Sequence, residues 1–414
     1  MHDSTVTAAP IGAVFAGIDW ASVDHAVCVV DAGGAALWRQ TISHSRAGLA
    51  RLTARLTELG VARVGIERPD GPVVEALLDA GLPVAVVPPR QVKNLRSRYR
   101  GAGKDDRFDA YLLADAMRTD GHRFTDLTRD TPPTTGLRAL VRARQDLVEV
   151  RVGLVNQLRH TLELAFPGAV GLFFDLHSPI ARAFLHRFPT AAEAAVLDED
   201  SMAAWLAAEG YCGRTPAAVF IDRLRTAPAG LTGAEADARR HITLALLGAI
   251  DTIEDQAAEL GRRIKEALAL HPDAAIFTSL PRAGQLRAAA LLAEIGDARG
   301  RYPSPDALAA AAGVCPVTFE SGKHRAVGFR YIADLKLRRA LTDFADDSRH
   351  ANPWAADIYT RARARGMRHP HAVRVLARAW AGIIWRCWQD TIPYDPARHG
   401  ALNRYLSQDA AAAA

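Results

Sequence analysis

Alternating strand and helix patterns over the first 120 residues, then two long stretches of helical periodicity and a strand-poor remainder, predict an α/β fold plus an all-α region. The apolar runs AVFAGID (13–19) and HAVCVVD (25–31), separated by the polar WASVD, suit a hairpin of buried strands. SRAGLARLTARLTELG (45–60) has helical spacing and closes at Gly60. A strand ARVGIER (62–68), a helix GPVVEALLDAG (71–81) and a strand PVAVVPP (83–89) follow. The alternation from 45 to 88 is the βαβ signature of parallel strands. A basic helix over 89–100 and an apolar-faced helix over 105–119 complete a first domain, residues 1–125.

Beyond the Pro-rich TRDTPPTTG, strand signals thin out. Apolar positions recur at three- and four-residue spacing over 136–166 and 234–270, as in packed long helices or an antiparallel coiled coil. The stretch 170–230 between them reads as irregular with short helices. Residues 126–270 are therefore expected to form a helical spacer or dimerisation region. A third domain, 271–395, opens with a short helix, a Gly-containing turn and an apolar helix in TSLPRAGQLRAAALLAEIGD. It continues through an expected loop, GVCPVTFESGKHRAVGFR, into helices reaching Asp390. The tail, 396–414, is expected to be disordered.

Composition removes several classes of function. Cys28, Cys212, Cys315 and Cys387 lie far apart with no CxxC pair, which disfavours a zinc knuckle or disulfide framework. No apolar run reaches the ~18 residues a membrane span needs. The opening lacks the basic segment of a signal peptide, so a cytoplasmic location is expected. Lys+Arg number 51 against 46 Asp+Glu, a net +5, so the placement of charge matters more than its sum. Only five of the 51 are Lys, a bias that suits bidentate phosphate contacts and equally reflects a GC-rich genome.

Carboxylates in unusual places mark the candidate chemistry. Asp19 ends an apolar strand, where a charge is costly unless paired or bound to metal. Glu67 closes the strand VGIE, and strand ends of α/β sheets are where ligands sit. Asp106 and Asp109 in KDDRFDA are three apart and share a helix face. Taken singly, Asp105 and Asp106 read as helix caps and Asp19 as a turn residue. Jointly, four carboxylates offer oxygen ligands suited to Mg²⁺ or Mn²⁺, and two such ions can clamp both sides of a phosphodiester displacement.

FAGIDWAS, GIERPDG and GKDDRFDAYLLAD resemble the three motifs of the DEDD transposases in the one-ten family of bacterial insertion sequences. That family is related to the Piv site-specific invertases. The resemblance implies an N-terminal RuvC-like (ribonuclease-H-like) domain with Asp19, Glu67, Asp106 and Asp109 as its metal-binding tetrad. Asp105 stands where the family's string commonly has Thr or Ser. LPRAGQLRAAALLAEIGD resembles the family's IPGIGPxxAxxLLAEIGD, with Arg282 and Gln285 replacing a Gly and a Pro. The FESGKHR segment resembles one ending in a Ser-Gly pair, which implies Ser321 as the nucleophile that attacks DNA. By spacing alone this Ser-Gly is an ordinary turn. No His or Asp is locally placed to activate Ser321, though His324 is three residues on, so the activating group would have to be the carboxylate–metal cluster. The resemblance further implies donor and target double-stranded DNA, a structured bridge RNA, and a homodimer or homotetramer.

Basic residues are the remaining signal. Arg90, Lys93, Arg96 and Arg98 cluster without an acid, and residues 321–390 hold 14 Lys and Arg, among them Lys323, Arg325, Arg338 and Arg339, against six Asp. Such patches supply phosphate affinity, although about half of such runs are simply solvated helix faces. Trp380, Trp385 and Trp388, at helical spacing, read as core or interface packing. The expected function is thus an insertion-sequence transposase acting through a phosphoserine–DNA intermediate. The alternative is a RuvC-like junction-resolving endonuclease that uses water as nucleophile. A sugar-kinase-like ATPase is disfavoured, because Trp20 and Ala21 follow Asp19 where a phosphate loop needs Gly. A non-catalytic nucleic-acid-binding protein would be indifferent to loss of Asp106 or Asp109.

Overall fold

The computed structural model describes residues 12–97, 105–321 and 324–413. They form two compact units. The first runs up to Asp130 and includes 298–303; the second comprises 131–297 and 304–414.

The first unit is built on β1 (Val14–Trp20), β2 (Asp24–Val30), β3 (Ala36–Ser43), α1 (Arg46–Glu58), β4 (Val61–Ile66), α2 (Pro72–Asp79), β5 (Val84–Val86), α3 (Pro89–Arg96) and α4 (Asp106–Asp120). The strand order is β3-β2-β1-β4-β5. The first three strands are antiparallel, while β4 runs parallel to β1 and β5 parallel to β4. Strand alternation divides the buried side chains between two faces. Ala16, Ile18, Val64 and Ile66 pack with Leu52 and Leu56 of α1 and Val73 and Leu77 of α2. Phe15, Cys28 and Val30 pack with Ala110, Leu113 and Ala114 of α4. No periodic signal marks β3. Its ALWRQTIS is exposed at most positions, as an edge strand can be, and so lacks an apolar run.

Two glycines let α4 lie directly on the sheet. Gly17 and Gly65 are register partners on β1 and β4. A Cβ on Gly17 would stand 2.1 Å from the Ala110 carbonyl oxygen and 2.3 Å from the Ala114 nitrogen. One on Gly65 would stand 2.8 Å from the Leu113 carbonyl oxygen. No side chain fits between helix and strands here.

In the second unit, α5 (Pro132–Ala165) and α10 (Gly233–Ala269) are the two long helices. Cross-links fix them as antiparallel neighbours: Thr134 Oγ1 lies 2.8 Å from His271 Nε2 just past the end of α10, and Arg151 donates to Glu254 at 2.8 Å. Residues 170–230 contain α6 (Pro179–Arg187), α7 (Ala191–Ala194), α8 (Glu199–Ala208) and α9 (Ala217–Thr226). These close over Leu158, Leu162 and Leu247 of the long pair around Phe173, Phe184 and Phe220.

The remainder holds α11 (Ala274–Thr278), α12 (Gly284–Ile295), α13 (Pro305–Ala311), β6 (Val317–Ser321), β7 (His324–Gly328), α14 (Leu335–Ser348), α15 (Pro353–Ala364), α16 (His369–Asp390) and α17 (Gly400–Ala413). Its first helices are tied to the long pair. Arg142 on α5 grips the buried Glu294 of α12 with bonds of 3.0 and 2.7 Å, and Arg138 donates to the Ala293 carbonyl at 2.6 Å. Trp380 and Trp388 are fully buried, and their indole N–H groups donate to Ser348 Oγ and the Gly296 carbonyl. Both are core residues, the packing role expected for them.

Two expectations are corrected here. The segment expected as a loop contains the β6–β7 hairpin, because alternating Val317-Thr-Phe-Glu-Ser321 pairs with His324-Arg-Ala-Val-Gly328. The tail is helical rather than disordered. Its Ala-rich α17 has high helix propensity and buries Leu402, and Asn403 Nδ2 ties back to the Ala397 carbonyl at 2.7 Å.

Candidate active site

Strand alternation aims the first two carboxylates. Gly17 and Gly65 face α4, so Asp19 and Glu67, two residues on, share that face. Ile18 and Ile66 are the last register pair of the parallel β1–β4 ladder, which places Asp19 beside Glu67 at its mouth. Both are half-buried. The approach of α4 over the two glycines brings the third, because Asp109 lies one turn before Leu113 and is buried. Asp105 is the N-cap of α4 and accepts from Arg107 N–H at 3.2 Å. It therefore does local structural work, while Asp106 is exposed in the first turn. The positive end of the helix dipole favours the carboxylates of that turn.

Arg96, at the end of α3, binds this group. Its Nε donates to Asp109 Oδ1 at 3.1 Å and its Nη2 to Oδ1 and Oδ2 at 2.6 and 2.5 Å. The Asp109 bonds raise the guanidinium above its ordinary pKa, and the charges of Glu67 and Asp19 add to the shift. Asp109 thus binds Arg96 directly, while Glu67 and Asp19 are near enough to act on its charge. Among the described residues, however, no three His, Cys, Asp or Glu side chains converge tightly enough to hold a metal ion. The donor chemistry, carboxylate oxygens only, is that of a hard divalent cation.

A second layer escapes sequence reasoning. Arg68 stacks over Trp20, 4.3 Å from the ring centroid, one residue beyond Glu67 and Asp19 respectively. His25, fully buried, sits with Nε2 2.9 Å from His44 Nδ1 and accepts from Ala21 N–H at 3.4 Å. The only local signal is the matching position of Asp-Trp and Glu-Arg at two strand ends.

Ser321 belongs to the other unit. It is the last residue of β6, in register with His324. The basic residues expected to meet nucleic acid divide in several ways. Lys93 is exposed on α3, and Arg90 lies on the same helix. Arg98 and Lys323 lie outside the described residues. Arg96 spends its charge on Asp109. Arg325 pairs across the hairpin with Glu320 at 2.9 Å, and Arg339 pairs with Glu149 at 2.5 Å. Arg338 donates to the Ala312 and Arg330 carbonyls and stacks on Phe329, 4.6 Å from its centroid. Arg96 and Arg338 are therefore internal braces, because partners distant in sequence capture their guanidinium groups.

A mixed five-stranded sheet with two adjacent carboxylates at its central strand ends and a third on the covering helix defines a ribonuclease-H-like, RuvC-like domain of the DEDD type. Comparison with known proteins narrows that class. The DEDD transposase model of the IS110 elements matches residues 16–167, and the model described as "Transposase IS116/IS110/IS902 family" matches 274–360. The "Mini-circle putative transposase for IS117" of Streptomyces coelicolor is 34% identical over 93% of this chain and 96% of that protein. The "Insertion element IS116 uncharacterized 44.8 kDa protein" of Streptomyces clavuligerus is 30% identical over the same shares. Thermus thermophilus RuvC, solved with a Holliday junction substrate, aligns 28% of this chain with 99% of that chain at 19% identity and a TM-score of 0.22. The chain belongs to the IS110/IS116/IS902 family of insertion-element transposases, enzymes that cleave and rejoin DNA. Among the described residues no helix is long and apolar enough to cross a membrane.

Proposed function

We propose that this transposase cuts and rejoins double-stranded DNA through a phosphoserine intermediate, with Asp19, Glu67, Asp106 and Asp109 as the metal-binding set and Ser321 as nucleophile. The supporting observation is the gathering of Asp19, Glu67 and Asp109 on one sheet face, with Arg96 bound to Asp109. Mg²⁺ or Mn²⁺ at these oxygens would neutralise charge developing on the scissile phosphate. The Ser321 hydroxyl loses its proton as Oγ bonds to phosphorus, and the P–O bond to the leaving sugar oxygen breaks as that oxygen gains a proton. Rejoining reverses these changes with a new sugar hydroxyl, so ester bond energy is kept. Lys93 and Arg325, both exposed, are suited to contact phosphate. A bridge RNA as guide and a homodimer or homotetramer as the working form complete the reading.

Trapping the covalent adduct tests it. Wild-type protein incubated with labelled element ends and Mg²⁺ should leave a detergent-resistant protein–DNA species, which Ser321→Ala should lose together with strand exchange. Asp109→Asn should lose cleavage as well. Cleavage that survives in Ser321→Ala with no adduct in either protein would instead establish the water-dependent resolvase. RNA recovered with the purified protein, if discrete and mapping beside its gene, tests the guide.

A further inference from the structure

Arg96 is placed oddly for a residue of a basic helix expected to meet nucleic acid. Its fork closes on Asp109 with three bonds between 2.5 and 3.1 Å, and the Asp109 side chain is only 6% exposed. The guanidinium also lies within the field of Glu67 and Asp19, carboxylates on two different strands. A carboxylate held in a bidentate fork has its lone pairs directed at the donor and cannot offer them in full to an ion. Three carboxylates brought to one face also repel one another, so a cation beside them is favourable whenever no metal is bound.

We propose that Arg96 is the internal counter-cation of the carboxylate site. It holds the metal-free form together by occupying Asp109, and a divalent ion must displace it to bind. On displacement, Asp109 gains the ion, and the guanidinium is freed beside exposed Lys93 on the same helix, where it can meet a phosphate. Metal entry and backbone grip are thereby coupled through one side chain. The inference rests on the carboxylate reading above.

The test is Mn²⁺ binding to the full-length protein, followed by calorimetry and by water-proton relaxation, with thermal unfolding measured in the presence and absence of Mn²⁺. Arg96→Met keeps the apolar stem and removes the competitor. It should bind Mn²⁺ roughly tenfold tighter than wild type, melt at a lower temperature without metal, and gain more from added Mn²⁺. Arg96→Lys keeps a charge but not the fork and should fall between the two, which also serves if the Met variant does not fold. In an Asp109→Asn background the Met substitution should no longer tighten binding. Equal or weaker Mn²⁺ affinity in Arg96→Met and Arg96→Lys, with wild type binding normally, overturns the counter-cation role alone. Failure of wild type to bind Mn²⁺, or unchanged binding in Asp109→Asn, overturns the carboxylate reading and this inference with it.

Discussion

The contact between α4 and the sheet leaves no room for a side chain, and Gly17→Ala probes it with one methyl group. Gly17 is not among the residues of positive φ, so the substitution carries no backbone strain and its effect is steric. The new Cβ would stand 2.1 Å from the Ala110 oxygen, 2.3 Å from the Ala114 nitrogen and 2.7 Å from Leu113 Cβ. Comfortable separations are about 3.5–4.0 Å, so the helix must retreat by more than 1 Å. The two nearest atoms belong to the helix backbone and cannot rotate away. Overpacking of a tight core costs about 1–3 kcal/mol, and this site should lie at or above the top of that range. Retreat of α4 also carries Asp109 away from Asp19 and Glu67, and a shift of about 1 Å can cost roughly a hundredfold in rate. Hydrogen exchange of the β1 and α4 amides reads local stability, and strand exchange reads the site. As a control, Gly248→Ala lies in α10 with nothing within 4 Å of the new Cβ, and should stabilise by about 0.5–1 kcal/mol. Protection of β1 and α4 within about 0.5 kcal/mol of wild type, the ordinary range for a neutral surface change, would refute the reasoning.

Two further outcomes are expected. Arg282 has a φ of 57°, a conformation that favours Gly, and its compensating bond to Asp347 is 3.4 Å long and half-exposed. Arg282→Gly should therefore raise the thermal midpoint, by relief of about 1 kcal/mol, whereas a fall would show that the ion pair outweighs the strain. Burial, and next the neighbouring His44, lower the pKa of His25 below its ordinary 6.5, against a smaller opposing pull from Asp24. The folded state thus prefers the neutral ring, whose unprotonated Nδ1 accepts the Ala21 N–H. This contribution is whole above pH 6.5 and is lost as pH falls below it, because the unfolded chain takes up the proton first. Thermal midpoints should fall from pH 6.5 to 5 more steeply in wild type than in His25→Gln, and equal slopes would assign the loss to other groups.

What was legible in the sequence was whatever a short-range pattern encodes. The periodicity of VFAGID and VARVGI, and of α1, α2 and α4, gave the βαβ order, because burial of one face imposes a repeat on the residues that supply it. The same logic placed Asp19 and Glu67 at strand ends and found the two long helices within a few residues of their bounds. Elements that bury little leave no such trace. Edge strand β3, hairpin β6–β7 and the Ala-rich α17 are elements of this kind. Tertiary structure alone decided where the charges went. Asp109 and Arg96 are 13 residues apart on different helices, and Glu149 and Arg339 are 190 apart. An ion pair depends on distance in space, and nothing in an arginine's local sequence says whether it will meet a phosphate or a carboxylate of its own chain.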